Sequence, residues 1–220
     1  MNLNYPDTIR NFLIQHPEIA ESIENNKDTD LHIDRRINLF EQAFLACKEC
    51  KDKEGYIVEA GVFTGGSSII LSKAASYFKR QMILLDSFVG LPSPSEYDKF
   101  SKGSWNGSLS SVEAKLQDEP TWYDMIIIKG FFKDTLPFLN NLKIIFLHLD
   151  VDLYKSYLEC CKYLLSFVTI GGRVVLDEYY SEKHTGAKRG VDEILNTFTR
   201  EYKLWRPYAN ECSGNIYIKS

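Results

Sequence analysis

Two segments of the chain end an apolar run abruptly in carboxylates: His148-Leu-Asp150-Val-Asp152-Leu-Tyr154 and Val174-Val-Leu-Asp177-Glu178-Tyr179. Such runs read as strands buried on both faces, and the acidic residues then mark strand ends that open on a site. If the two strands are neighbours, Asp150, Asp177 and Glu178 come together. Close carboxylates repel one another, and a shared divalent cation is the simplest common explanation. Two solvated strand ends are the alternative on spacing alone.

Proton transfer beside such a cation needs a base. His184, in the polar segment Ser181-Glu-Lys-His184-Thr-Gly186, is one candidate, because imidazole is the side chain whose unperturbed titration falls nearest neutral pH. A loop histidine with no role is the competing reading. Asp152 is a second candidate, as base or outer acid, with helix capping as its ordinary use. His148 lies inside the strand and reads as a packed, hydrogen-bonded residue. Tyr154, Tyr179 and Tyr180 flank the carboxylates and are able to stack on a sugar ring, although packing is the default for each.

Upstream, Tyr56-Ile-Val-Glu59-Ala-Gly61-Val62-Phe63-Thr-Gly65-Gly66-Ser67 carries glycines where a strand passes into a helix. Glycine lets a ligand approach the backbone, and a helix N-terminus favours a carboxylate or phosphate. The spacing departs from the dinucleotide G-x-G-x-x-G pattern. With Glu59 shortly before Gly61, it looks more like a loop for S-adenosylmethionine. The next strand-like run ends in Leu84-Leu-Asp86, about where nucleoside-binding folds carry the acid that holds ribose hydroxyls. Helix capping is the other reading of Asp86.

These residues need a frame to hold them. Apolar runs at Tyr56 to Ala60, Met82 to Asp86, Met125 to Lys129, Ile144 to Asp150 and Arg173 to Asp177 alternate with helical patterns at 67–79, 109–118, 133–141, 153–167 and about 187–201. That alternation specifies an α/β domain with a mainly parallel sheet covered on both faces. Tyr202 to Arg206 and Asn215 to Lys219 are joined by a short Pro/Asn/Gly-containing loop, so they form an antiparallel pair. The α/β domain occupies residues 53–220, and its polar insertion at 92–108, with Tyr97, Phe100 and Trp105, is long enough to be a lid. Residues 1–52 show only helical periodicity, interrupted by the polar turn Asn25 to Asp30, and read as an extension that caps the core or mediates association.

Composition narrows the partners. A formal net charge of −4 gives no basic face, so nucleic-acid binding is not expected. No run reaches the roughly 18 to 20 apolar residues that cross a bilayer, and Met1 to Pro6 has no signal core, so membrane attachment is not expected either. The 5 cysteines include Cys47-Lys-Glu-Cys50 without a second ligand pair, which favours a reduced, cytoplasmic protein over a zinc site.

With these residues in view, the chain resembles the macrocin O-methyltransferase family, enzymes that methylate sugar hydroxyls of macrolides and related natural products. The resemblance rests on Glu59-Ala-Gly-Val-Phe-Thr-Gly-Gly-Ser67, Leu85-Asp-Ser-Phe-Val-Gly-Leu-Pro92, Lys129-Gly-Phe-Phe-Lys-Asp-Thr-Leu-Pro137, His148 to Tyr154 and Gly171-Gly-Arg-Val-Val-Leu-Asp-Glu-Tyr179. It implies a Rossmann-like class I methyltransferase fold, with a mainly parallel seven-stranded sheet and an antiparallel C-terminal strand. It also implies S-adenosylmethionine and Mg2+ as cofactors. Glu59, Gly61, Val62, Phe63, Gly65, Gly66 and Ser67 would then serve the methionine part, Asp86 and Ser87 the ribose, and Gly130 and Phe131 the adenine. Asp150, Asp177 and Glu178 would hold the metal, with Asp150 also facing the donor. The family commonly has Asp-Asp where this chain has Asp177-Glu178, and the extra methylene displaces that carboxylate. The implied partner is a glycosylated small molecule, and the implied assembly a homo-oligomer. Another vicinal diol, such as a catechol or a surface polysaccharide, and a non-catalytic nucleotide-binding module are the competing readings.

Overall fold

The computed structural model describes residues 5–29, 31–209 and 211–220; Met1 to Asn4, Asp30 of the expected polar turn and Asn210 of the expected C-terminal loop lie outside the described residues. Its strands are β1 (Tyr56–Ala60), β2 (Met82–Asp86), β3 (Met125–Lys129), β4 (Ile144–Leu149), β5 (Val168–Leu176), β6 (Tyr202–Trp205) and β7 (Gly214–Ile218). They form one 7-stranded sheet in the order β3-β2-β1-β4-β5-β7-β6. From β3 to β5 all neighbours pair in parallel, whereas β7 runs antiparallel to both β5 and β6. The expected sheet is therefore the observed one. Its strand order reverses between β1 and β4, and open α/β sheets bind ligands beyond the carboxyl ends of strands at that switch point.

The helices are α1 (Asp7–Gln15), α2 (Pro17–Glu24), α3 (Ile33–Glu49), α4 (Gly66–Phe78), α5 (Leu109–Leu116), α6 (Phe132–Thr135), α7 (Tyr154–Leu164) and α8 (Thr185–Leu195). Successive strand residues point to opposite faces, so each strand feeds two cores. On one face Ile57, Phe146 and Val175 pack with Phe40, Ala43, Ile70 and Leu71 of α3 and α4. On the other, Val58, Leu147 and Leu176 pack with Tyr157, Cys160, Ala187 and Val191 of α7 and α8. Complete burial of an aliphatic or aromatic side chain stabilises by roughly 1.5–3 kcal/mol, and β4 is buried at every position.

Helical periodicity before β1 resolves into three helices. Pro17 separates α1 from α2, because proline suits the first turn of a helix and disfavours helical backbone in the residue before it. Ile9, Leu13, Ile23 and Phe40 of this extension join the same core as Ile57 of the sheet. Asn38 of α3 and Asn215 of β7 exchange two amide hydrogen bonds, of 3.1 and 2.8 Å. Cys47 and Cys50 are buried in that packing.

The largest departures from the expected boundaries are in β5, in the 133–141 segment and at the end of α8. β5 begins at Val168, and Gly171-Gly172 lies within it: a register break between Ile144 and Phe146 takes up the extra residues, with Gly171 at φ +84°. The helical pattern at 133–141 yields only α6 and a 3₁₀ turn through Phe138, and α8 stops at Leu195. Among the described residues, no helix is long and apolar enough to cross a membrane.

Candidate active site

The ends of β1, β4 and β5 are tied together directly. Asp150 N–H donates to Ala60 O at 3.0 Å, and Asp177 N–H donates to Leu149 O at 2.9 Å. Gly61 leaves β1 at φ +88°, and a Cβ there would lie 1.7 Å from Asp150 O. Only glycine permits that approach, which brings the glycine loop against the first carboxylate.

The acidic residues do not gather as one trio. Asp150 belongs to two groups whose ligand atoms lie within 4.8 Å of one another: His148, Asp150 and Asp177 on one side, and Asp150, Asp152 and Glu178 on the other. Asp177 and Glu178 are consecutive in the turn that follows β5, and their side chains meet different helices. Asp177 turns toward α3, where Arg35 Nη2 forms an ion pair with its Oδ2 and donates to its carbonyl at 3.1 Å. Glu178 turns toward α7, where the Tyr157 hydroxyl donates to Oε2. Burial, then the Asp150 and Asp152 charges, push the Glu178 carboxyl well above its ordinary range. Burial, then Asp152, raises Asp150 as well. Of the three carboxylates expected around one cation, Asp150 stands next to both others, Asp177 on the side of His148 and Glu178 on the side of Asp152 and Tyr157.

The two candidate bases are in contact. Asp152 adopts φ +57°, and Leu153 N–H donates to Val151 O at 2.6 Å across it, so the residue sits at the apex of a tight, strained turn. That turn aims Asp152 Oδ1 at His184 Nε2, 3.2 Å away. His184 is fixed from two further directions, by Ser181 Oγ 2.8 Å from Nδ1 and by the Phe100 ring stacked at 4.6 Å.

These groups face one cavity of about 560 Å³. Gly61, Val62, Phe63, Gly66, Ser67, Asp86, Ser87, Gly130, Phe131, Asp150, Asp152, Asp177 and His184 all line it. Gly65, at φ +83°, caps α4 from behind the wall. Asp86 organises the loop: Oδ2 accepts from Val62 N–H at 2.7 Å and Phe63 N–H at 3.1 Å, while Oδ1 accepts from Phe88 N–H at 2.7 Å. Glu59 differs from expectation, since it is wholly buried behind the loop, accepting from the Ser68 hydroxyl and facing His148 Nδ1 at 3.0 Å.

The family model of Macrocin-O-methyltransferase (TylF) matches residues 31–210. The chain belongs to this family. It is 30% identical over 172 residues to demethyldecarbamoylnovobiocin O-methyltransferase of Streptomyces niveus, covering 69% of the chain and 66% of that relative. A second Streptomyces relative, from Streptomyces olivaceus, is 8-demethyl-8-(2,3-dimethoxy-alpha-L-rhamnosyl)-tetracenomycin-C 4'-O-methyltransferase, 31% identical over 138 residues, 57% of the chain and 53% of that relative. The chain thus spans about half to two thirds of the length of these curated relatives. Among solved structures, the O-methyltransferase NovP superposes with a TM-score of 0.73 at 25% identity, covering 89% of the chain and 83% of NovP.

In this TylF-family chain, several cavity residues escape sequence reasoning. Asp28, Thr29, Leu31 and Arg35 of the extension form part of the wall. Their strap is bonded to the glycine turn: Asn26 Nδ2 donates to Gly66 O at 2.8 Å, Thr64 Oγ1 donates to Asp28 O at 2.9 Å, and Lys115 Nζ pairs with Asp28 at 2.9 Å. A Cβ on Gly66 would meet Asp28 O at 2.4 Å. The Asn25 to Asp30 composition signals a turn and nothing about where it lands. The 92–108 insertion contributes Lys102 and Trp105 to the cavity, and Asp98 Oδ1 accepts from Tyr154 N–H at 2.8 Å, capping α7. Tyr154, Tyr179 and Tyr180 stand outside the cavity: the Tyr154 and Tyr179 hydroxyls donate to Glu193 and Asp192, at 2.8 and 2.6 Å, and the Arg206 guanidinium covers Tyr180.

Proposed function

We propose that this protein transfers a methyl group from S-adenosylmethionine to a sugar hydroxyl of a natural product or other glycosylated small molecule, with a divalent cation at Asp150 and Asp177. The observation that carries the reading is the junction at Gly61 and Asp150, which joins a glycine-turn pocket and a carboxylate cluster in one cavity. The lining supports a donor there: Asp86 and Ser87 would serve the ribose, Gly130 and Phe131 the adenine, and the N-terminus of α4 the methionine carboxylate. A divalent cation fits the paired oxygens of Asp150 and Asp177. The sugar acceptor is favoured because the olivaceus relative is named for a rhamnosyl 4'-O-methylation.

When bound, S-adenosylmethionine supplies an electrophilic methyl on sulfur, and the cation polarises the acceptor oxygen. The remaining work belongs to the chain. Methyl transfer forms a carbon–oxygen bond in line with the carbon–sulfur bond that breaks, so the two ends must be held in one geometry. Gly61 and Asp150 fix that geometry by abutting. The acceptor hydroxyl loses its proton to the Asp152–His184 pair, with His184 held by Ser181 and Phe100. Lys102 and Trp105 of the lid cover the cavity and keep water from the donor. The test is product analysis by mass spectrometry after incubating the full chain with S-adenosylmethionine and a panel of glycosylated acceptors, before and after chelation of divalent ions. A singly methylated product that disappears on chelation is expected. Failure to bind S-adenosylhomocysteine in calorimetry, with no product from any acceptor, would refute the reading.

A further inference from the structure

The cavity has two electrostatic poles. Asp86, Asp150 and Asp177 line it from the strand ends, whereas Lys102, Lys133 and Lys155 line it from the lid and from the starts of α6 and α7. The donor and a divalent cation match the first pole only. S-adenosylmethionine carries an ammonium and a sulfonium against a single carboxylate, so both groups bring positive charge, which a lysine lobe opposes. Nor do the lysines serve the fold. Lys102 and Lys155 form no ion pair among the described residues. Lys133 reaches only its neighbour Asp134, at 3.9 Å with 66% and 62% of the two side chains exposed, and such a pair is worth little. Glu159 lies between Lys133 and Lys155: burial pushes its carboxyl up, and the two lysine charges pull it back down. One carboxylate against these lysines leaves the lobe positive in a chain of formal net charge −4. Lys155 also stands in the first turn of α7, where aligned peptide dipoles already present positive charge. A cation is unfavourable there unless an anion faces it.

We infer that the acceptor carries an anionic substituent, a phosphate ester or a carboxylate, and that Lys102, Lys133 and Lys155 bind it while the reacting hydroxyl lies toward Asp150. The inference rests on the methyl-transfer reading above and narrows its acceptor from any glycosylated small molecule to an acidic one. Ammonium groups on flexible stems hold phosphate and carboxylate oxygens as point charges, without demanding one fixed geometry. Lys102 is nevertheless held over the cavity. Gly103 N–H donates to Leu91 O at 2.9 Å, and Leu91 N–H donates to Ser104 O at 2.8 Å, which fixes the lid on both sides of the lysine. An anion between Lys102 and the two helical lysines therefore ties the lid to α6 and α7 as it seats the acceptor.

The test is equilibrium titration of the full chain, loaded with S-adenosylhomocysteine in buffer free of divalent ions. Glucose 1-phosphate, methyl glucuronide and neutral methyl glucoside are the probes. Without a metal, an anion is held only by cations of the chain itself. At least one anionic sugar should bind about tenfold or more tightly than methyl glucoside, and which one does so tells phosphate from carboxylate. Raising NaCl from about 0.02 M to about 0.3 M should weaken that binding at least about threefold. The double substitution Lys133→Gln and Lys155→Gln should cost at least about tenfold in anion affinity, and Lys102→Gln about threefold, with S-adenosylhomocysteine affinity kept. Lys162→Gln makes the same charge change on α7 outside the cavity, and should leave anion affinity within about twofold. Equal affinity for the neutral sugar, no measurable anion binding, or a preference that survives the lysine substitutions overturns the inference and leaves the methyl-transfer reading intact. Loss of S-adenosylhomocysteine affinity in the folded lysine variants assigns these residues to the donor and overturns it too. Absence of S-adenosylhomocysteine binding by the wild type overturns both.

Discussion

Asp150 is the residue on which both halves of the cavity depend. Its backbone oxygen excludes any side chain at Gly61, and its carboxylate belongs to both acidic groups. Asp150→Asn should lower the methyl-transfer rate by about a hundredfold or more while calorimetry still detects S-adenosylhomocysteine; an undiminished rate would remove the metal from the mechanism. Asp152→Asn should cost about 10²- to 10⁴-fold in kcat, the usual range for a lost general base, with KM for the donor little changed. If kcat survives, the proton leaves by another route. Glu178 carries a prediction about stability. Its carboxyl is held above the ordinary 4.5 by burial and by Asp150, so the folded chain retains a proton that the unfolded chain releases. That contribution is complete below about pH 4.5 and is lost as pH rises through the folded value. In chelated buffer, Glu178→Gln should therefore lose less Tm than the wild type as pH rises above the ordinary 4.5. Parallel Tm curves for the two proteins would count against the protonated, Tyr157-bonded glutamate.

At the scale of elements, strands β1 to β3 were legible to the residue because apolar runs bounded by polar turns leave little choice of ends. β5 was not, because its beginning depends on the register break against β4, and a glycine pair looks the same in a turn and in a bulge. The 92–108 insertion is held by identifiable contacts. Asp98 caps α7, Tyr97 lies under the Arg189 guanidinium at 3.9 Å, and Phe100 stacks on His184. Replacing Asp98 with alanine should cost about 0.5–2 kcal/mol, as for other lost helix caps. Hydrogen exchange should then speed up at the start of α7 and across 92–108; unchanged exchange in both segments would mean that the insertion is anchored elsewhere.

Across the whole molecule, the N-terminal helices and the sheet are one packed body. The Asn38–Asn215 pair joins positions at opposite ends of the chain, and Asn38→Ala should destabilise by about 1–3 kcal/mol in a denaturant titration, since it strands a buried amide. A loss near zero would show that the extension contributes little to the core. What the chain alone determined was the α/β alternation, the strand ends with Asp86 and Asp150, the glycine turn, and Asp152 and His184 as candidates beside the carboxylates. Its motifs also carried the family. Only the tertiary structure decided that Glu178 turns away from Asp177, that Arg35 meets Asp177, that the strap from Asn26 to Leu31 walls the cavity, and that Glu59 stands behind His148. The physical reason is that side-chain periodicity along a strand is a property of the backbone, readable from order alone. Convergence of residues as distant in sequence as Glu59 and His148, or Arg35 and Asp177, depends on strand order, register and the helices packed over them.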